Sequence, residues 1–146
     1  GVRVEALTHA TGLSSTGDAA LDATMPWPER YEIPPETARA VAGATRVIAV
    51  GTSVMRALES SALANGGRVV DGPGVATLRI DETHRPRVTQ GLLTGIHSPQ
   101  ESHYALLRSL VDADTLAHGT AEAARARLVE HEEGDAALLL PGALAA

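Results

Sequence analysis

Apolar residues recur along the chain with two different periods. Residues 2–8 alternate between apolar and polar side chains, which predicts a strand with one buried face. The run at 46–50 is apolar without interruption after its arginine, as in a strand that is buried on both faces of a parallel sheet. Four further strands are predicted, at 68–70, 75–80, 88–94 and 136–140.

Segments with helical spacing separate these strands. Two prolines and an acid predict a helix from Pro34 to about Gly43. Apolar residues at positions 54, 58 and 62 predict another helix, from about Ser53 to Ala64. Further helices are expected from Pro99 onward and over 121–132.

The order of these elements predicts the fold class. Because strands alternate with helices, we expect one layered α/β domain over residues 1–146, with a mainly parallel sheet. Residues 9–24 are rich in Gly, Ser, Thr and Asp, and are expected to form a loop or linker. The chain opens on Gly1 rather than Met, so we expect a fragment of a larger protein.

The composition excludes several kinds of chemistry. The chain has no cysteine, and all twelve of its Lys-or-Arg residues are arginine. Disulfides, thiolate nucleophiles, zinc sites built on sulfur and Schiff-base lysines are therefore excluded. No apolar run approaches the roughly 18 residues of a membrane-spanning helix. The absence of cysteine fits a cytoplasmic protein, which is the location we predict.

The charge balance bears on nucleic-acid binding. A formal net charge of −6 argues against a domain that binds a phosphate backbone unaided. The best candidate for a local basic cluster is the segment 83–87, which contains two arginines. The alternative interpretation of this segment, a solvated turn between strands, is favoured.

The strongest local signal for a binding site is the junction Gly51-Thr52-Ser53, where a strand ends and a helix begins. Ligands bind beyond the carboxyl ends of strands in such sheets, and a helix start offers free N–H groups to anionic oxygens. Arg56 would lie one turn into the helix. Alternatively, Thr52 or Ser53 is only a helix cap, and Arg56 forms a surface pair with Glu59.

Four other residues join this list of candidates. Thr94 and His97 follow a second strand end, where an imidazole can act as a general base or hydrogen-bond a ligand. His9 follows the first strand, and the three strand ends are expected to meet at one crevice. Asp135 precedes the last strand, where it can hold a ligand hydroxyl or cap a turn. A metal site at His131-Glu132-Glu133 is not expected, because adjacent residues point in different directions on a helix.

Four ordered segments resemble those of a known family. They are Glu29–Pro34, Arg46–Thr52 with Arg56–Ser60, Gly91–Thr94 with His97 and Pro99, and Gly134–Asp135. Over about residues 25–140 they are similar to the S-adenosylmethionine:tRNA ribosyltransferase-isomerases of queuosine biosynthesis. The resemblance implies that this chain is the C-terminal α/β portion of a protein that also has an N-terminal part and a β-barrel domain.

The resemblance also implies a reaction. The ribosyl unit of S-adenosylmethionine moves to the aminomethyl group of a 7-deazaguanine in tRNA and is isomerised, with release of adenine and methionine. A base removes a proton beside the sulfonium, and His97 and His9 are the candidates for it. Arg56 would anchor a carboxylate or phosphate. S-adenosylmethionine is the expected co-substrate, and no metal is predicted.

Three segments depart from the family pattern: Gly51–Arg56, where a hydroxyl is replaced by valine; Pro26-Trp27, which replaces a Met-His pair; and the segment at 94–101. Thr-Asn-Phe-His-Leu-Pro-Lys-Ser becomes Thr94-Gly95-Ile96-His97-Ser98-Pro99-Gln100-Glu101, which loses an amide, an aromatic ring and a lysine. These losses weaken the case for tRNA more than the case for S-adenosylmethionine. A small nucleoside acceptor, or a non-catalytic domain that binds a ligand or partner, is therefore kept as an alternative.

Overall fold

The computed structural model describes residues 1–13, 16–99, 101–129 and 131–142, with backbone alone for residues 102 and 131–133. The strands within these residues are β1 (Thr8–His9), β2 (Glu29–Ile33), β3 (Ile48–Val50), β4 (Gly72–Ala76), β5 (Gly91–Ile96) and β6 (His131–Leu139). The helices are α1 (Ala19–Asp22), α2 (Pro35–Gly43), α3 (Thr52–Ala64), α4 (Ser102–Leu107) and α5 (Ala113–Arg125). No helix in the described part of the chain is long and apolar enough to cross a membrane.

The strands form two three-stranded sheets, in the orders β1-β2-β4 and β3-β5-β6. The first sheet is antiparallel. In the second sheet the central strand, β5, is parallel to β3 and antiparallel to β6. The α/β class is confirmed, but the prediction of a mainly parallel sheet is wrong. Two helices in series, α4 and α5, connect β5 to β6, so the chain re-enters the sheet at the edge where β5 ended. Ile96, the last residue of β5, accordingly pairs with His131, the first residue of β6.

Helix α3 packs against both sheets. It contacts β1 and β4 of the first sheet and β3 and β5 of the second. Its Met55 is buried in a core cluster with Ala49 and Leu92, and its Leu58 is buried in a second cluster with Ile33. Burial of each of these two side chains stabilises the fold by about 1.5–3 kcal/mol. Since both project from one helix, α3 holds the two sheets in a fixed relation.

The helices at 34–43 and 53–64 are confirmed as α2 and α3. Helix α3 ends before Gly66 and Gly67, whose positive φ angles of 66° and 93° few other residues adopt at low cost. The helix predicted over 121–132 is misplaced, because α5 runs from Ala113 to Arg125. Asp112 sets its start by accepting a hydrogen bond from the Thr115 N–H at 2.8 Å.

Two strand predictions need correction. Residues 46–50 were expected to be buried on both faces, but only Ala49 is buried, while Ile48 and Val50 are 42% and 64% exposed. Alternate side chains of a strand point to opposite faces, and only the face carrying Ala49 meets the core. A strand was predicted at 2–8, but Thr8 is the only residue of that range that pairs with β2. The second residue of β1, His9, lies just beyond the predicted range.

Candidate active site

Arg56 lies one turn into α3, and its buried guanidinium is the centre of a hydrogen-bonded cluster. Its Nη1 donates to the carboxylate of Glu29, at the start of β2, and forms an ion pair with it. Its other donors reach the carbonyls of Trp27, Ala76 and Leu78, each at 3.2 Å. Four of the five guanidinium N–H groups can be assigned to these four acceptors. The side chain therefore ties α3 to β2, to β4 and to the segment after β4.

His9 lies beside the same carboxylate. Its side chain is 6% exposed, and its Nε2 is 3.6 Å from Oε2 of Glu29. Within the described residues, neither ring nitrogen has a hydrogen-bond partner. Burial lowers the pKa of His9; the Glu29 carboxylate opposes this effect and the charge of Arg56 adds to it. The imidazole is therefore neutral at pH 7 and offers a basic nitrogen in a buried site.

A second cluster lies at the end of β5. His97 is buried, and its Nε2 is 3.0 Å from Oγ1 of Thr94. Its Nδ1 is 2.9 Å from Oε2 of Glu101, the residue that precedes α4. Since a carboxylate only accepts, Nδ1–H donates to Glu101 and the Thr94 hydroxyl donates to Nε2. The ring of His103 lies against that of His97, with centroids 5.0 Å apart.

The start of α3 lies next to the end of β5. Gly51 precedes the helix with a φ of 94°, and its N–H donates to the Leu93 carbonyl at 2.8 Å. No side chain caps this helix start, so the interpretation of Thr52 or Ser53 as the cap is wrong. Both residues are partly exposed. The expected meeting of the strand ends at Gly51 and Thr94 is thus confirmed, because β3 and β5 are parallel neighbours.

The other candidate residues lie apart from this junction. His9 and Arg56 belong to the Glu29 cluster, on the side of α3 that faces the first sheet. Asp135 is exposed, and its Oδ2 accepts a hydrogen bond from the Val129 N–H at 2.8 Å, which is the turn-capping role. Two cavities, of about 460 and 530 Å³, are lined by other segments. The structure therefore presents two clusters joined by α3 rather than one crevice.

The sequence matches a known family across most of its length. A family model described as "Queuosine biosynthesis protein" matches residues 1–139. The chain belongs to this family.

Curated relatives carry the name S-adenosylmethionine:tRNA ribosyltransferase-isomerase. The protein of Gloeobacter violaceus is 42% identical over 119 residues, which are 79% of this chain and 34% of that protein. The protein of Rubrobacter xylanophilus is 40% identical over 114 residues, 78% of this chain and 33% of that protein. The chain thus spans about a third of the length of the curated relatives it matches.

A solved structure supports the same assignment. The crystal structure of S-adenosylmethionine tRNA ribosyltransferase from Thermotoga maritima matches with a TM-score of 0.67 at 27% identity. The match covers 77% of this chain and 40% of that chain. The family resemblance found in the sequence is confirmed.

Three glutamates with specific partners in the structure were not among the candidate residues predicted from the sequence. Glu29 and Glu101 belong to the two clusters above. Glu59 is fully buried and accepts hydrogen bonds from three consecutive backbone N–H groups, at 87–89. The suggested surface pair of Arg56 with Glu59 is therefore wrong, since both are buried and bind different partners. The sequence held a signal for two of these glutamates. Glu29 is the first residue of a segment that resembles the family, and Glu101 follows His97 by four residues, a spacing at which two side chains can meet.

Proposed function

We propose that this chain is the α/β part of an enzyme that uses S-adenosylmethionine as co-substrate to modify tRNA. The ribosyl unit moves to a 7-aminomethyl-7-deazaguanine and is isomerised, and adenine and methionine are released. Family membership and the names of the relatives support this proposal. A cytoplasmic location follows from it, and no step of the transfer is assigned to a metal.

The observation that carries the proposal is the buried, neutral imidazole of His9. A carbon beside a sulfonium is acidic, because the positive sulfur stabilises the carbanion that forms. One nitrogen of His9 takes this proton, while the bond between the sugar and adenine breaks as the sugar rearranges. Glu29, 3.6 Å away, then stabilises the imidazolium, and Arg56 holds the Glu29 carboxylate in place.

His97 is the second candidate for the base. Both of its ring nitrogens are hydrogen-bonded, to Thr94 and to Glu101, so it would have to give up one bond before accepting a proton. The carboxylate beyond it can orient its ring in the way that a third group orients a catalytic base. Geometry therefore favours His9 over His97.

Donor binding is proposed at the junction of β3 with α3. The uncapped helix start at Gly51, Thr52 and Ser53 suits the carboxylate of S-adenosylmethionine. Thr94 lies beside Gly51 at the same edge and can add a polar contact, whereas Asp135 is exposed, caps the turn at Val129 and is left out of this site. Arg56 lies in the Glu29 cluster rather than at this junction, and its one N–H beyond the four protein acceptors can be offered to an anionic group there.

The test is the release of adenine by the full-length protein with S-adenosylmethionine and tRNA carrying the deazaguanine. His9→Gln should lower kcat by about 10²–10⁴-fold, the usual contribution of a general base. His118→Gln, at an exposed position on α5, is the matched control and should leave kcat unchanged. Full activity of His9→Gln with loss in His97→Gln would transfer the role to His97.

A small nucleoside acceptor is the second candidate function, favoured by the net charge of −6 and the absence of lysine. Calorimetry of the full-length protein separates the possibilities. Binding of S-adenosylmethionine and then of tRNA supports the tRNA enzyme. Binding of the donor without tRNA indicates the smaller acceptor. If neither S-adenosylmethionine nor tRNA binds, both enzyme functions are excluded and the non-catalytic domain is the remaining alternative.

A further inference from the structure

The cluster at the end of β5 contains the ligand set of a metal site. His97, Glu101 and His103 each offer one nitrogen or oxygen atom, and these three atoms lie within 4.8 Å of one another. The side chain of His97 is 6% exposed and that of Glu101 is 26% exposed, so the group opens from a buried ring toward the surface. The transfer with His9 as the base uses neither Glu101 nor His103.

The spacing of these atoms is close to what a small divalent ion requires. Zinc binds imidazole nitrogen and carboxylate oxygen at about 2.0–2.2 Å, which places two ligands of a tetrahedral site about 3.4 Å apart. Nδ1 of His97 and Oε2 of Glu101 are 2.9 Å apart, slightly closer than that. All three ligand atoms lie within 4.8 Å of one another, so a bound ion requires the carboxylate of Glu101 and the ring of His103 to adjust to tetrahedral spacing.

The chain segment explains why these residues meet. Glu101 follows His97 by four residues, and it immediately precedes α4, whose second residue is His103. His97 is held by the end of β5, which lies between two neighbouring strands in its sheet. One ligand is thus fixed by the sheet and two by the start of a helix, as a preformed site requires.

The partner of the other ring nitrogen of His97 is also in place. A histidine that binds a metal through one nitrogen almost always donates its second N–H to a neighbouring oxygen, which fixes the ring. Thr94 Oγ1 lies 3.0 Å from Nε2 of His97 and is buried. With a metal on Nδ1, the Nε2–H donates to Thr94, and the ring needs no reorientation.

We propose that His97, Glu101 and His103 bind a divalent transition-metal ion, Zn²⁺ being the ion that fits this ligand set. Two histidines and one carboxylate leave the fourth position of a tetrahedral site to water or to a ligand. This site lies at the edge where β3 and β5 end. It goes beyond the proposed transfer, and it assigns His97 to the metal and leaves the role of base to His9.

The test uses the full-length protein, stripped of metal with a chelator and titrated with Zn²⁺ by calorimetry. We expect one equivalent to bind with a dissociation constant below 1 µM, about the range of a specific three-ligand site. Glu101→Gln and His103→Gln replace partly exposed ligands, so circular dichroism should show that both fold. Each should weaken binding by more than 100-fold, whereas His118→Gln should bind as the wild type does.

A fourth variant examines the hydrogen bond behind the ligand. Thr94→Val keeps the shape of the side chain and removes the acceptor, and should weaken zinc binding by about 10–100-fold. Titration with Co²⁺ gives a second readout, since a visible spectrum of a four- or five-coordinate ion should appear in the wild type and be lost in Glu101→Gln. A dissociation constant above about 1 µM in the wild type, or equal binding by the wild type and both ligand variants, would overturn the proposal.

Discussion

The carboxylate of Glu59 holds the segment that enters β5, and its removal gives the sharpest test of the fold. Oε1 accepts hydrogen bonds from the N–H groups of Val88 and Thr89 at 3.0 and 2.9 Å. Oε2 accepts one from the N–H of Arg87 at 2.8 Å and lies 3.4 Å from Nε2 of His84. The residue is 0% exposed, so water cannot replace these bonds.

The expected loss follows from counting these bonds. In Glu59→Gln the amide oxygen can keep Val88 and Thr89, but the NH₂ group then faces the Arg87 N–H, which is left without an acceptor. One unsatisfied buried donor costs about 1–3 kcal/mol, and two charged hydrogen bonds become neutral ones, at about 1 kcal/mol each. Relief of the buried charge offsets part of this sum, so we expect a loss of about 2–4 kcal/mol. Glu59→Leu leaves all three donors unsatisfied and should cost more.

Urea denaturation, followed by circular dichroism, measures the difference. For an m-value of about 1.5 kcal/mol/M, a loss of 3 kcal/mol lowers the midpoint by about 2 M. Glu122→Gln, at an exposed position on α5, is the control and should change the free energy of unfolding by less than about 0.5 kcal/mol. The reasoning is refuted if Glu59→Gln unfolds at the wild-type midpoint, or if Glu59→Leu is more stable than Glu59→Gln.

Two further predictions concern His9 and Gly51. Because burial lowers the pKa of His9 in the folded protein, the unfolded chain binds the extra proton first, and stability should fall as the pH drops below about 6.5. Urea midpoints at pH 5 and 7.5 should show a smaller difference in His9→Gln than in the wild type, and an equal difference would contradict the assignment. Gly51→Ala should cost about 1–3 kcal/mol, because its φ of 94° suits glycine alone. Gly43→Ala is the control, because an added Cβ meets open space at both positions but only Gly51 has a positive φ. An equal loss of stability in Gly43→Ala would exclude backbone strain as the cause.

The local signals predicted α2 and α3 well, and α5 and the sheet poorly. Pro35 at the start of α2 and the two glycines after α3 act within one turn of the helix they bound, so a single sequence reveals them. The direction of β6 depends on how two helices, α4 and α5, return the chain to the sheet, which no local pattern records. The same limit applies to Ile48 and Val50, because an apolar side chain does not reveal whether anything packs on its face of the sheet.

The candidate site was also predicted only in part. Gly51 and Thr94 were placed together because parallel neighbouring strands end at one edge, which the alternation of elements predicts. The three glutamates were missed because an acid in a sequence suggests a solvated surface. Glu29 and Glu59 are enclosed by partners that are distant in sequence, and Glu101 reaches His97 across a turn of the chain, so only the fold supplies these contacts.

These burials also bear on the charge argument against tRNA. Glu29 and Arg56 cancel within the protein, and Glu59 is enclosed by backbone donors, so the net charge of −6 becomes −5 once Glu59 is set aside. The surface still carries an acidic excess, but Glu59 fixes the backbone beside Arg85 and Arg87, whose side chains are exposed. A basic contact with phosphate therefore depends on where these two arginines are held rather than on the total charge. The carboxylate that stabilises the entry to β5 anchors the backbone of one of them, Arg87.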